Sequence, residues 1–302
     1  MLARLQQITT LALIALACGW AVFSINSGWP VAWAWAGAGL IVAGYAAVLA
    51  LEFWLLRRSY VAGDAERPRW PDLLRAWVLE TTCAPRVFLW RQPFRSKAEP
   101  DSLAQSGDGR RGVVLVHGFF CNRGLWNPWM RRLRAEGVPF IALNLEPAFG
   151  SIDCYVKGLD DAVRAAEQAT GLAPVIVAHS MGGLAIRAWL AKCDGGERFH
   201  RVVTIGTPHH GTLMARLGRT HNGREMRDGS PWLAALASSE KQALWKRFTC
   251  FWGRCDNIVF PTSSATLPGA DNRHLAGTPH VQMVYHPAVI DEVLRLVEAP
   301  SR

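Results

Sequence analysis

The order of apolar and polar residues divides the chain into a membrane-like beginning and an alternating remainder. Residues 8–25 form a charge-free apolar run, and residues 31–51 form a second one after the short uncharged stretch NSGWP. Crossing a bilayer takes roughly 20 apolar residues, so the second run is long enough and the first is slightly short. We therefore expect residues 1–56 to form a transmembrane hairpin of two helices. A cleaved signal peptide followed by one span is the alternative.

From Gly112 onward, short β-like runs alternate with segments of helical pattern. The four clearest strand candidates are VVLV (113–116), PFIALNL (139–145), PVIVAH (174–179) and RVVTIG (201–206). Continuously apolar strands that are separated by helices are typical of a parallel sheet covered on both faces. Residues 112–302 are therefore predicted to form one α/β domain. Folds of this kind place their functional sites at the carboxyl ends of the strands.

Residues 57–111, between these two parts, are predicted to be a basic juxtamembrane connector. This range holds 11 Lys or Arg against 7 Asp or Glu. Its segment WPDLLRAWVLE is predicted to form a short amphipathic helix, and the apolar residues on one side of it are Leu73, Leu74, Trp77 and Val78. The polar, glycine-containing residues 97–111 are predicted to be an exposed linker.

The positions of the positive charges predict which way the hairpin is oriented. Arg4 precedes the first apolar run and a group beginning at Arg57 follows the second, while the loop between the runs has no Lys or Arg. The positive-inside rule then places both ends of the hairpin, and the domain that follows, in the cytoplasm. The formal net charge of +9 fits attraction to anionic lipids. No nucleic-acid partner is expected, because no binding motif accompanies the charge.

The seven cysteines are odd in number and scattered along the chain. This distribution fits reduced thiols in a cytosolic domain better than a disulfide framework. Cys250 and Cys255, the one pair close in sequence, lack the companion ligands of a zinc site, so no metal is expected.

One serine stands at the junction between the apolar run VIVAH and the helical segment that follows it. Ser180 has Ala178 two residues before it and Gly182 two residues after it. This resembles the G-x-S-x-G nucleophile elbow, in which small residues allow a sharp strand-to-helix turn that exposes the serine hydroxyl. The alternative is a serine that caps the helix in an ordinary turn. The segment HGFF (117–120) follows the first strand, where a backbone N–H can point at the same oxyanion.

Three segments in this order carry a resemblance to a known family. VVLVHGFF, VIVAHSMGGLAIRAWL and IGTPHHGT are similar to the bacterial lipase and esterase branch of the α/β-hydrolase family, and GSPWLAAL (229–236) resembles the helical cap of those lipases. The resemblance covers roughly residues 112 to 298. It implies an α/β-hydrolase fold with a helical cap insert at about 209–247. The predicted hairpin lies outside the resemblance, and with it the expected location is a bacterial inner membrane.

The serine hydrolases of this family carry their acid and their base after the serine, in that order. Asp256, in the segment DNIVFP after a β-like run, matches the ending common near the acid in this family. Asp271 is only nine residues before the preferred histidine, and Asp194 is too close to the elbow helix.

Three histidines follow the candidate acid. His280 falls on a loop between the last strand and the last helix, where the family carries its base. His274 is predicted to lie on the last strand, and His286 at the first turn of the last helix, since Pro287 follows it. His179 is not expected to be the base, because neighbouring side chains at an elbow point apart.

The resemblance implies a Ser180–His280–Asp256 triad and an oxyanion hole formed by the backbone N–H groups of Phe119 and Met181. The apolar residues predicted to bind the acyl part of a substrate are Phe120, Met214, Leu217, Trp232 and Leu233. The alternative for those in the cap is that they only bury the cap against the core.

Together these patterns favour a membrane-anchored serine hydrolase that cleaves lipid-like or short carboxylic esters without a metal or organic cofactor. The same triad serves a thioesterase or an acyltransferase. A catalytically inert membrane scaffold is the non-enzymatic alternative.

Overall fold

The computed structural model describes residues 1–60, 67–103, 109–193 and 198–298. Asp194 and parts of the predicted connector (61–66 and 104–108) lie outside these residues. The ten α-helices of the described residues are α1 (Leu2–Asn26), α2 (Val31–Ser59), α3 (Trp70–Pro85), α4 (Gln92–Phe94), α5 (Asn127–Ala135), α6 (Val156–Thr170), α7 (Met181–Lys192), α8 (His221–Glu225), α9 (Pro231–Ser239) and α10 (Pro287–Val297). A π-helical turn, Arg86–Arg91, connects α3 to α4.

Six parallel strands form the central sheet in the order β2-β1-β3-β4-β5-β6. They are β1 (Val113–Val116), β2 (Phe140–Ala142), β3 (Val175–His179), β4 (Arg201–Ile205), β5 (Phe248–Trp252) and β6 (Asp271–His274). β1 coincides with the predicted strand VVLV, and the predicted parallel α/β architecture is confirmed.

Both faces of the sheet are covered, because successive side chains of a strand point to opposite faces. On β1, Val114 and Val116 pack into the core that holds α6 and α7. Val113 and Leu115 pack into the opposite core, with α5 and α10. All four β1 valine and leucine side chains are fully buried, so a continuously apolar strand is what this position requires.

The segment between β4 and β5 is helical, as expected for a cap. It consists of α8, α9 and two 3₁₀ turns, Leu213–Leu217 and Gln242–Arg247. Ser230 caps α9 by accepting a hydrogen bond from the N–H of Leu233, which explains the helix start at the SPWL sequence.

Helices α1 and α2 form a hairpin, and both are long and apolar enough to cross a membrane. Most of their large side chains are exposed, as they would be on a lipid-facing surface. Small residues bring the two helices close together: Ala17 and Ala34 are buried, and the Trp20 ring lies where a side chain on Gly37 would be. The start of α1 lies beside the hydrolase-like domain, since the Met1 ammonium group is 3.4 Å from Glu146 Oε1. The end of α2 does so as well, since Leu56 packs with Phe260.

The predicted connector is part of the folded structure in its described residues. Leu73 and Ala76 of α3 pack with Phe53 and Leu56 of α2. Leu74 and Val78, predicted to share the packed face, are instead 61% and 48% exposed. The difference arises because α3 packs on α2 through the neighbouring stripe that contains Leu73, Ala76 and Trp77.

A buried ion pair joins α7 to the end of the cap. The Arg187 guanidinium donates to both carboxylate oxygens of Glu240, at 2.6 Å each, and also to the carbonyl of His209. The two side chains are only 2% and 5% exposed. Removing one partner from such a pair leaves the other charge buried without compensation.

We expect Glu240→Ala to destabilise the fold by about 3–5 kcal/mol, because it leaves the buried Arg187 charge unpaired. The thermal unfolding midpoint of the detergent-solubilised protein should fall by several degrees. Asp161→Ala, which breaks the exposed pair of Asp161 with Lys157, should leave the midpoint unchanged and serves as the control. Equal midpoints for Glu240→Ala and the wild type would contradict the structural role of the pair.

Candidate active site

Ser180 occupies a strained turn between β3 and α7. Its backbone angles are φ 54° and ψ −128°, in a region that few non-glycine residues adopt. Its N–H donates to the carbonyl of Ile205 at 2.9 Å, which holds the turn against β4. Small neighbours are required here: a Cβ on Gly182 would lie 2.7 Å from the carbonyl oxygens of Val116 and His117. The geometry is that of a nucleophile elbow.

Asp256 and His280 form a buried pair at the carboxyl end of the same sheet. The Nδ1 atom of His280 is 3.0 Å from Asp256 Oδ2, and the two residues are 4% and 1% exposed. Asp256 Oδ1 also accepts hydrogen bonds from the N–H groups of Ile258 and Val259, at 2.9 and 2.8 Å. A carboxylate beside Nδ1 favours the tautomer with the proton on Nδ1, which leaves Nε2 able to accept a proton.

Gly206 allows this pair to lie against the end of β4. A Cβ at this position would come within 2.9 Å of Asp256 Oδ2 and 3.1 Å of His280 Nδ1. The backbone also has φ +56° there, which disfavours any other residue. Only a glycine leaves room for the His280–Asp256 contact.

One cavity of about 710 Å³ contains both Ser180 and His280 on its wall. Most of its other lining residues are apolar, and many belong to α1, α2 and the segment from α3 into the π-helical turn. Phe119 and Phe120 also line it, and their rings form a cluster with Phe149 at centroid distances of 6.0–6.4 Å.

The loop after β1 is fixed by polar contacts from several directions. His117 Nε2 accepts the N–H of Leu145 at 3.0 Å, and burial lowers the pKa of His117 to about 4, so its ring is neutral. Gln6 of α1 donates to the carbonyl of Phe120 at 3.1 Å. Met181 is the first residue of α7, where helix N–H groups have no partner within the helix. The predicted oxyanion residues Phe119 and Met181 thus lie on two fixed segments next to Ser180.

Four of the five predicted substrate-binding residues are not among those that line this cavity; Phe120 is the exception. Leu217 is 74% exposed, and Leu233 is buried in the core beside α7. Trp232 donates to Asp153 Oδ1 at 3.2 Å. Met214 packs against the apolar cluster that joins α2 to α3. The cap packs against the sheet domain, and the hairpin takes the position beside Ser180 that the cap was expected to take.

Two glutamates that the sequence reasoning missed lie close to His280. Glu80 of α3 is 1% exposed and accepts the N–H groups of Val281 and Gln282, at 2.8 and 3.2 Å. Glu52 of α2 accepts from Asn257 Nδ2 at 2.7 Å, and Asn257 in turn accepts the N–H of His280. A signal for Glu52 exists in the sequence, because it is the only charged residue between Val31 and Leu56.

The charge on these neighbours sets the proton affinity of His280. Burial lowers the pKa of His280, but Asp256, followed by Glu80 and Glu52, raises it, and the resulting pKa lies above its ordinary value. Burial also raises the pKa of Glu80 to about 7, although two backbone N–H groups and His280 act against this. The protonation of Glu80 and that of His280 therefore depend on each other.

Three other histidines have surroundings that differ from those of His280. The His179 ring lies 4.6 Å from that of His280, and burial, with His280 nearby, keeps the pKa of His179 well below its ordinary value. His274 lies on β6 against Trp252, and His286 caps α10 by accepting the N–H of Ala288. His274 and His286 are therefore where the sequence predicted them to be.

Comparison with protein families shows to which family the chain belongs. The model of the alpha/beta hydrolase family matches residues 113–292. The chain belongs to the alpha/beta hydrolase family. Among curated proteins, none matches this hydrolase.

Solved structures show the same fold for this hydrolase. The lipase BlEst2 of Bacillus licheniformis in mature form is 16% identical, with a TM-score of 0.57, and the match covers 67% of this chain and 97% of that one. Lipase B of Aspergillus fumigatus is 20% identical, with a TM-score of 0.59, covering 68% of this chain and 57% of that one. The resemblance found in the sequence is confirmed at the level of the fold.

We expect the reaction of Ser180 with a fluorophosphonate to depend on the proton affinity of His280. Only neutral His280 can accept the serine proton, so labelling should increase as pH rises through its raised pKa and disappear below it. Glu80→Gln removes a negative charge beside His280 and should move this acid limb to lower pH. The measurement is the labelling rate between pH 5 and 9.

Glu136→Gln, on the surface, is the matched control and should keep the wild-type profile. An unchanged acid limb in Glu80→Gln would show that Glu80 does not act on His280.

Proposed function

We propose that this hydrolase cleaves carboxylic esters with a lipid-like acyl part, through a triad of Ser180, His280 and Asp256. The observation that carries the proposal is the shared cavity: it is lined by Ser180, at a strained elbow, and by His280, whose Nδ1 is paired with buried Asp256. Serine hydrolysis needs these three side chains in these roles. The lipase structures of the same fold support an ester substrate by analogy.

In the proposed reaction, Nε2 of His280 removes the proton of Ser180 as the serine oxygen attacks the ester carbonyl. Asp256 holds the proton on Nδ1 and stabilises the imidazolium ion that forms. The N–H groups of Met181 and Phe119 donate to the oxyanion. His280 then protonates the leaving alcohol, and water, activated by the same histidine, releases the acid from the acyl-enzyme.

We further propose that the hairpin α1–α2 anchors the enzyme in a bacterial inner membrane, with the hydrolase domain in the cytoplasm. Two observations support this topology. Arg57 and Arg58 lie at the domain end of α2, where Arg57 stacks on Trp70 at 4.4 Å. The turn between the helices carries no Lys or Arg.

Ser180→Ala and His280→Ala should each reduce ester hydrolysis at least roughly a thousandfold, because each removes a group that takes part in every chemical step. His274→Ala and His286→Ala are the controls and should keep most of the activity. The measurement is the kcat for a p-nitrophenyl ester, with circular dichroism to check folding. A folded Ser180→Ala variant with wild-type turnover would refute the assignment of the nucleophile.

A fusion of alkaline phosphatase after Arg302 tests the topology in a bacterial host. We expect low phosphatase activity, because the enzyme folds only in the periplasm and the charge distribution keeps this end in the cytoplasm. A green fluorescent protein fusion at the same site should fluoresce. High phosphatase activity without fluorescence would place the domain on the opposite side.

A further inference from the structure

The hairpin that is proposed to anchor the protein also forms a wall of the candidate active site. Residues of α1 and α2 that line the cavity are Leu13, Ile41, Val42, Gly44, Tyr45, Val48, Leu49 and Glu52. From the other side, Ala84, Pro85, Phe88 and Leu89 complete it. A hairpin that only anchored the protein would need no contact with the cavity that holds Ser180 and His280. Its place in the cavity wall therefore points to a second role for the hairpin.

The cavity follows α2 away from the hydrolase domain. Its lining on this helix extends from Glu52, which is bonded to the Asn257 next to Asp256, to Ile41. These two residues are 11 positions apart, and this corresponds to roughly 16 Å along a helix. The polar end of the cavity holds Ser180 and His280, and the far end is apolar. This shape matches an ester group at one end and an extended hydrocarbon chain along the helix.

The side of the cavity opens toward the surface that would face lipid. Val42 and Val48 line the cavity and are still 52% and 57% exposed. On α3 and the segment after it, the large exposed side chains are Trp70, Leu74, Val78, Trp90 and Phe94. Exposed apolar groups on the elements that form the cavity walls are costly in water and favourable in a membrane.

The walls of the cavity are joined by specific hydrogen bonds. Tyr45 of α2 donates to the carbonyl of Thr81 at 2.6 Å, and Trp77 of α3 donates to the carbonyl of Ala46 at 2.8 Å. The space between α2 and the π-helical turn is therefore a fixed site and not a loose gap between an anchor and a domain.

We propose that the hairpin forms the site that binds the acyl chain of the substrate. The substrate is an ester of a long-chain fatty acid, and this ester resides in the bilayer. Its chain enters sideways between α2 and the π-helical turn, and its carbonyl reaches Ser180 at the membrane surface. This inference rests on the proposed function for the chemistry, but the chain-binding site can be tested separately.

The kinetic test compares neighbouring positions on the two helices. Ile41→Trp and Leu13→Trp fill the far end of the cavity, whereas Leu40→Trp and Leu11→Trp add the same ring at exposed positions outside its lining. We expect the first two to lower kcat/KM for p-nitrophenyl palmitate at least tenfold and to change that for the butyrate less than twofold. The two controls should match the wild type on both esters.

Full palmitate activity in both lining variants would overturn the proposal, as would an equal loss on both esters with fluorophosphonate labelling intact. Wild-type protein that neither hydrolyses the esters nor reacts with the fluorophosphonate would refute the proposed function instead.

A binding measurement tests the site without turnover. Ser180→Ala protein in phosphatidylcholine vesicles is irradiated with palmitate that carries a diazirine near the end of its chain. We expect crosslinks at Leu13, Ile41 or Phe88 that unlabelled palmitate competes away, while crosslinks at lipid-facing Leu40 are not competed. Competed crosslinks on the cap helix α9, or none in the hairpin, would overturn the proposal.

Discussion

The whole arrangement depends on two polar side chains of the hairpin that bond to the hydrolase domain, one buried and one half-buried. Gln6 of α1 is 3% exposed and bonds to Gln92 and to the Phe120 carbonyl, while its own side-chain oxygen accepts from Asn122 at 3.3 Å. Glu52 of α2 bonds to Asn257. Burying a polar group in apolar surroundings costs several kcal/mol unless it is hydrogen-bonded. These hydrogen bonds therefore favour one position of the hairpin on the domain.

These two contacts join the hairpin to both halves of the candidate site. Gln6 holds the loop that carries Phe119, and Glu52 holds Asn257, which accepts the N–H of His280. Any tilt of the helices would therefore be transmitted to the loop after β1 and to the candidate base. The hairpin and the candidate site are one packed unit, and the cavity between them exists because both are fixed.

The sequence predicted those parts that depend on local pattern. VVLV and the elbow around Ser180 have one reasonable structure, because their apolar character and small residues allow few others. His280 and Asp256 were predicted from chain order and resemblance, and the structure places them in one buried pair. The part of the cavity that α2 lines was not predictable in this way, since it requires α2 to pack beside Ser180, which lies 128 residues after Glu52. Glu80 was missed because its burial comes from tertiary contacts of a helix that has a surface-like pattern.

The cap illustrates the limit of reasoning from family resemblance. Its sequence GSPWLAAL predicted a helix that the structure contains as α9, but it did not show that no residue of this helix lines the cavity. Trp232 and Leu233 pack inward, on Asp153 and on the core beside α7. In this chain the N-terminal hairpin lines the cavity and the cap does not, and local sequence does not show which of the two segments packs beside Ser180.

The sideways opening between α2 and the π-helical turn has a consequence for how catalysis is measured. If substrate reaches Ser180 only through the plane of the lipid, the relevant concentration is its mole fraction in the membrane or micelle, not its amount per volume of buffer. Adding detergent at constant total substrate then slows the reaction by two-dimensional dilution, and alkyl detergents compete for the same space between the helices.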